Sequence, residues 1–327
     1  MPHFARTLYP KKRLSAWTQF LTFLSGILMG LVELIPGVGI ATLSITFNLY
    51  HAFIDFLHDV TLLIKEVLGI LTGKFRMKPF KTLVSRVFSE FNLPLLLGIL
   101  FGLAIFSFIF RFILVNLPSY INAIFFGVIL ASFLVPLRQI KKVTFPYKII
   151  MAVSALLFYY VFGWHSNNIF YVPSSIAIFI SGFLSPLTLV LPGMGGSFAL
   201  VLLNSYSYFL NILNNLFFSS LTLIQKYDLA LFIAGFTLGF VLIIGVVKQL
   251  LKKYKSSFMA ILSGVMLASL RIVYPFITIK GDIRSEVLPF QLPLGQSLVV
   301  TLVVIASFFI GVLFNKFSNH TDPVEDM

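Results

Sequence analysis

Residues 94 to 110 read PLLLGILFGLAIFSFIF, an apolar run with no charge and no alternation of polar and apolar positions. A helix needs about 20 such residues to cross the hydrocarbon core of a bilayer. Comparable runs recur at about 16–35, 93–115, 119–137, 146–163, 228–247, 257–277 and 294–314. A transmembrane barrel would show short strands with a two-residue period, which these runs lack. The chain therefore reads as an all-α integral membrane protein, and its 58% hydrophobic and 11% charged residues exclude an ordinary soluble domain. The net charge of +13 marks cytoplasmic loops in such a chain and does not point to nucleic acid. Cysteine is absent, which removes disulfides, thiolate catalysis and cysteine metal sites. The basic start MPHFARTLYPKKRL has the look of a secretory leader, but the run behind it is long and has an internal counterpart, so it reads as a retained segment.

That counterpart appears when the sequence is slid along itself. At an offset of 156 (192 − 36), residues 23–54 align with 179–210 without a gap, and eleven of the 32 positions are identical. The matches include Gly26/Gly182, Leu28/Leu184, Pro36/Pro192, Gly37/Gly193, Gly39/Gly195, Asn48/Asn204, Tyr50/Tyr206 and Phe53/Phe209. At an offset of 137 (264 − 127), Gly98 and Gly102 match Gly235 and Gly239, and GVILAS at 127–132 matches GVMLAS at 264–269. Shared greasiness explains matched Leu and Phe, but not Pro, Gly and Asn in the same order. Two repeats follow, 14–165 and 170–317.

Charge sets the expected topology. Nineteen of the 24 Lys and Arg fall in Arg6–Arg13, Lys65–Arg86, Arg138–Lys148, Lys248–Lys255 and Lys316. If all five places are cytoplasmic, the chain between 14 and 60 leaves and returns on one side, with Pro36-Gly37 at the tip of a helical hairpin. The loop GWHSNNIFYVP at 163–173 carries no Lys or Arg and fits the exterior, as does KGDIRSE at 280–286. The expected order is a cytoplasmic basic segment 1–13, a hairpin 16–57, an interfacial helix 58–72, three spans, a second hairpin 172–215, three more spans, and a cytoplasmic tail 318–327. An odd number of crossings per repeat makes the two copies opposite in orientation. This inverted-repeat plan, with hairpins that are re-entrant, is common among secondary transporters. His51, Asp55, His58 and Asp59 share one face of the interfacial segment; metal binding at that spacing is the sharper reading, and a solvated polar face the plainer one.

Proline removes an amide donor and glycine accepts any backbone angle, so P-G-x-G ends one half-helix and frees the chain to begin another. Such backbone at membrane depth survives only where protein buries it or it lines a cavity. The amides of Gly37, Val38, Gly39 and Ile40, and those of Gly193, Gly195, Gly196 and Ser197, are then the expected donors for an anionic oxygen, with hydroxyls from Thr42 and Ser197. The alternative is that these glycines only let two tips pack closely. Three ionisable residues lie within apolar runs: Glu33, Arg111 and Arg271. Each is a functional candidate because a charge at membrane depth costs about 2.5–3.5 kcal/mol. Arg271 and Arg111 are the expected phosphate contacts. Glu33, whose repeat partner is Leu189, is read either as a proton-coupling carboxylate or as the ion partner of Arg271.

Enzymatic readings find no support, since the spans hold no Ser-His-Asp set, no paired histidines and no HExxH spacing, and no cofactor motif is seen. At the two hairpins the sequence resembles the bacterial polyprenyl-phosphate transporter family, formerly a domain of unknown function. The family pattern runs roughly G-x-x-D-x-x-P-G-x-S-G-G-T in the first half and P-G-x-S-G-S-F in the second. The first copy here reads Gly30, Glu33, Pro36, Gly37, Val38, Gly39, Ile40, Ala41, Thr42, and the second Pro192, Gly193, Met194, Gly195, Gly196, Ser197, Phe198. The motif serine is glycine in both copies, and two glycines of the first are Ile40 and Ala41, which makes the second hairpin the expected anion binder. The resemblance implies translocation of undecaprenyl phosphate, a polyprenyl phosphate lipid, from the outer to the cytoplasmic leaflet of the bacterial cytoplasmic membrane, for reuse in cell-wall synthesis. The runner-up is a secondary transporter of another small anion or amphiphilic lipid on the same plan.

Overall fold

The computed structural model describes residues 15–40, 43, 50–70, 77–140, 142–162, 171–190, 194–280 and 283–318. In chain order the helices are α1 (Ala16–Glu33), α2 (Tyr50–Leu68), α3 (Met77–Val87), α4 (Asn92–Asn116), α5 (Pro118–Ser132), α6 (Leu134–Arg138), α7 (Phe145–Phe162), α8 (Ser175–Val190), α9 (Gly196–Leu202), α10 (Tyr206–Phe218), α11 (Leu223–Ser269) and α12 (Leu294–Ser318). A single antiparallel ribbon, β1 (Ile277–Lys280) with β2 (Ile283–Glu286), precedes α12. Among the described residues five stretches are long and apolar enough to cross a membrane: Ala16–Glu33, Asn92–Asn116, Pro118–Arg138, Leu223–Leu242 and Leu294–Leu313. The chain is a multi-pass α-helical membrane protein.

The helices pack by close backbone approach at small residues, as membrane helices do where lipid gives no hydrophobic drive for association. A Cβ on Gly26 would run into the Leu95 carbonyl, and one on Gly98 into that of Phe23, so α1 and α4 touch backbone to backbone. The same contact recurs between α8 and α11, where Gly182 lies on the Phe232 carbonyl and Gly235 on that of Phe179. Even the side-chain hydrogen bonds repeat: Ser25 Oγ donates to Leu21 O at 2.9 Å, and its counterpart Ser181 Oγ to Ala177 O at 2.8 Å.

The GVILAS and GVMLAS blocks pack across the halves. Gly127 of α5 lies on Val304 and Ser307 of α12, while Gly264 of α11 lies on Met151 and Ser154 of α7. Each half thus lends one helix to the other. The connections before these blocks match as well. Leu117 ends α4 at φ −136°, ψ 51°, and Tyr254, its partner at the offset of 137 (254 − 117), breaks α11 at φ −134°, ψ 36°.

That break falls between the spans expected at 228–247 and 257–277. Two helices meet at this kink, on either side of Tyr254 and inside the basic segment Lys248–Lys255. The loop 280–286 contributes to the ribbon, and Arg284 donates to the carbonyls of Ile272 at 3.1 Å and Tyr274 at 3.2 Å, tying the ribbon to the chain after α11. The helix expected over 58–72 occupies Tyr50–Leu68, and Asp59 on it faces Arg86 of α3 at 3.7 Å.

Candidate functional site

Pro36 and Gly37 form the centre of a type II turn. The Val38 N–H donates to Ile35 O at 3.2 Å, and Gly37 has φ +97°. Proline suits the first central position of such a turn and glycine the second, where φ is positive. The turn is anchored to α5, since Gly37 lies on Ile129 and its carbonyl accepts from Ser132 Oγ. Tyr206 Oη donates to Leu34 O at 2.8 Å from α10. Tyr206 is one of the repeat matches, so the sequence flagged the residue but not its role.

The second tip comes directly against the first. A Cβ on Gly39 would strike the Met194 carbonyl, and one on Gly195 would lie 2.8 Å from the Val38 carbonyl. Glycine at these two positions, where the family pattern has serine, is what lets the tips touch. Val38 and Met194 are both buried. Beyond the tip, α9 ends in a Schellman motif: Asn204 has φ 51°, its N–H bonds Val201 O at 3.0 Å, and the Ser205 N–H bonds Leu200 O at 2.8 Å. Asparagine tolerates this left-handed angle better than most residues, which explains its place among the repeated positions.

Glu33 crosses from the first tip to the second. Its Oε1 accepts from the Gly196 N–H at the start of α9, at 2.5 Å. The expected free amides are thus partly occupied, by Ile35 O at Val38 and by the protein's own carboxylate at Gly196. Glu33 and Arg271 have different partners: Arg271 Nη1 donates to Tyr159 O at 3.2 Å, and its guanidinium lies 4.3 Å from the centre of the Tyr159 ring. Glu33 is therefore not the ion partner of Arg271.

A cavity of about 290 Å³ opens beside the tips. Glu33, Ser185, Gly196 and Ser197 line it together with mostly apolar side chains, Phe209, Phe232 and Phe236 among them. Two polar atoms in this lining are buried with no hydrogen-bond partner among the described residues, Glu33 Oε2 and Ser197 Oγ. A second cavity of about 310 Å³ is lined by Arg111, Ser207, Tyr208, Asn211 and Gln225 with apolar neighbours. Arg111 Nη1 donates to Asn214 Oδ1 at 2.5 Å. Arg271 lines neither cavity. Thr42, Pro192 and Gly193 lie outside the described residues. Sequence reasoning missed Asn211 and Asn214; the signal was available as three amides, Asn211, Asn214 and Asn215, in the apolar stretch FLNILNNLFF.

The family model described as undecaprenyl phosphate translocase-like matches residues 29–287, which include both tips, Glu33 and both arginines. The chain belongs to this family. A polyprenyl-phosphate transporter of Vibrio cholerae serotype O1 is similar to it, at 25% identity over 257 residues, covering 78% of this chain and 77% of the relative. No solved structure matches. Family and relative are both named for moving a lipid phosphate rather than for altering one.

Proposed function

We propose that this protein translocates polyprenyl phosphate, undecaprenyl phosphate first among its substrates, from the outer to the cytoplasmic leaflet of the bacterial cytoplasmic membrane, returning the lipid carrier for cell-wall synthesis. The observation that carries the reading is the contact of Val38 and Gly39 with Met194 and Gly195, with Glu33 on the Gly196 N–H beside an apolar cavity. A prenyl chain is already at home in hydrocarbon, so only the phosphate needs a polar route. Backbone N–H groups and a hydroxyl at a helix start suit an anionic oxygen. Ser197 and Gly196 supply them, with Gly37, Gly39 and Gly195 shaping the approach.

The Glu33 carboxylate occupies the same donors that a phosphate oxygen would use. Protonation of Glu33 releases them, and departure of the phosphate lets the carboxylate return, which couples phosphate movement to a proton. No other cofactor enters this scheme. Arg111 and Arg271 serve as the cations on the way to the tips.

We read the two halves as an inverted repeat with re-entrant hairpins. Support comes from the matched glycine contacts and the matched turns at Leu117 and Tyr254. The Leu117 turn has no Lys or Arg beside it, whereas Tyr254 stands among Lys252, Lys253 and Lys255. By the positive-inside rule these two turns face opposite sides of the membrane, with both chain termini cytoplasmic.

The deciding experiment is flipping of a labelled polyprenyl phosphate by the purified chain in proteoliposomes. Transport by the wild type is expected. Arg271→Ala should reduce it at least about tenfold while inserting normally, and Arg271→Lys should recover only part, since Lys lacks the planar fork. No transport by the wild type would remove this reading, and movement of a different anion or amphiphile instead would install the runner-up. Normal transport by Arg271→Ala would take that residue off the path.

A further inference from the structure

The cavity at Arg111 sits at the end of α4 remote from the basic segment Lys65–Arg86, and it is chemically unlike the one at the tips. Arg111 offers five N–H donors and spends one on Asn214 Oδ1. The Asn214 Nδ2 beside it is buried, with no acceptor among the described residues, and Asn214 is only 3% exposed. Asn211 Oδ1, on the cavity wall, is likewise buried without a partner among the described residues. Ser207 and Gln225 bring further polar groups to the wall, and Leu114, Val115 and Val172 make the rest of it apolar.

The nearby carboxylate does not compete for Arg111. Both oxygens of Asp228 are taken by hydroxyls, Oδ1 from Ser175 Oγ at 3.0 Å and Oδ2 from Tyr208 Oη at 2.7 Å. The guanidinium is therefore held by a neutral amide, through one of its five donors. A phosphate monoester supplies what is missing, several acceptor oxygens with negative charge, while an attached prenyl chain suits the apolar side of the wall.

One side chain belongs to both cavities. Leu210 of α10 lines the Arg111 cavity and also the cavity at Glu33 and Ser197, and it is 2% exposed. No polar group of Leu210 can carry an anion past it, so passage between the two requires α10 or the leucine itself to move.

We propose that the Arg111 cavity is the receiving site for the phosphate monoester headgroup, and that Leu210 is the partition it crosses to reach the tips. This rests on the transport reading above, but the binding half of it can be tested alone. The full chain in nanodiscs is titrated with a fluorescent geranylgeranyl phosphate, with geranylgeraniol and inorganic phosphate as competitors, and the same variants are then assayed for flipping. Arg111→Gln should weaken binding of the prenyl phosphate at least about tenfold, as loss of charge-assisted hydrogen bonds does, without changing the affinity for the alcohol. Leu210→Trp should bind the prenyl phosphate within about threefold of the wild type and lose transport, because the partition can no longer clear the path. Unchanged binding by Arg111→Gln would overturn the receiving site, and normal transport by Leu210→Trp would overturn the partition. Should Arg111→Gln fail to insert, Asn211→Leu provides the same reading, with a smaller loss expected and wild-type affinity fatal to the site. Competition by inorganic phosphate as strong as by the prenyl phosphate would assign the cavity to free phosphate and overturn the lipid assignment. If the wild type binds through Arg111 yet flips no lipid, the transport reading falls and the anion site stands.

Discussion

The two halves of this chain share their helix contacts and differ at their tips. Gly26 and Gly98 rest on the carbonyls of Leu95 and Phe23, and Gly182 and Gly235 on those of Phe232 and Phe179, the same carbonyl-to-glycine approach. Where the first half has Glu33, however, the second has Leu189, and both side chains border the same cavity. The shared contacts teach that close packing of α1 on α4 and of α8 on α11 is a requirement of the scaffold. The unshared carboxylate teaches that the scaffold does not need an acid at that position, so Glu33 is there for what it does to the opposite tip.

The sharpest way to probe the meeting of the halves is to fix it. Cysteines placed at Val38 and Met194, in a chain with no cysteine of its own, should crosslink on mild oxidation. Transport should then stop and return with reductant, because tips that are bonded together cannot part for a headgroup. If no pair around these positions crosslinks in an active protein, the contact between the tips is not a feature of the working molecule.

Next in size is the equivalence of the glycines. Gly98→Leu and Gly235→Leu should each destabilise the protein by about 1–3 kcal/mol, the usual cost of overpacking, read as lowered melting temperatures in detergent. Gly295, with nothing within 4 Å of its added Cβ, is the control, and Gly295→Leu should leave melting unchanged. A loss confined to one half would show that the two interfaces only look alike.

The smallest structural change should test the difference itself. Glu33→Gln keeps the shape of the side chain but cannot gain or lose a proton, so transport measured between about pH 6 and 9 should become flat while melting changes little. Leu189→Gln, at the matching place in the other half, should leave the pH dependence as it was. A fall in melting temperature with an unaltered profile in Glu33→Gln would make the carboxylate a structural cap of α9 and remove the proton from the scheme.

Much of this architecture was legible because helix spacing, Pro-Gly and repeated glycines are local signals. The spans at 93–115 and 146–163 lie within a residue or two of α4 and α7. The basic segment Lys248–Lys255 marked the break between the spans 228–247 and 257–277, and the kink at Tyr254 lies within it. The ribbon was hidden by its shortness, yet Ile277, Thr278 and Ile279 ahead of Gly281-Asp282 are the ordinary signature of a hairpin. The site was harder to read. Local sequence predicted donors at the tips, but that Glu33 would reach Gly196, and Arg111 would reach Asn214, depends on which helices meet. Nothing within a few residues of Glu33 or Arg111 announces either contact.

The exchange of helices between the halves also sets the order in which the chain can mature during synthesis. While α5 enters the membrane, the helix that covers Gly127 has not yet been translated, since Val304 and Ser307 lie on the last described helix. The first half must therefore wait in the bilayer with that face turned to lipid or to an insertion factor, and its completion is a late event. A stop codon anywhere before Leu294 leaves not a smaller working protein but an unfinished one. By the same logic, two separately expressed fragments divided between α7 and α8 have a ready way to find each other, because each arrives with a helix whose partner only the other can supply.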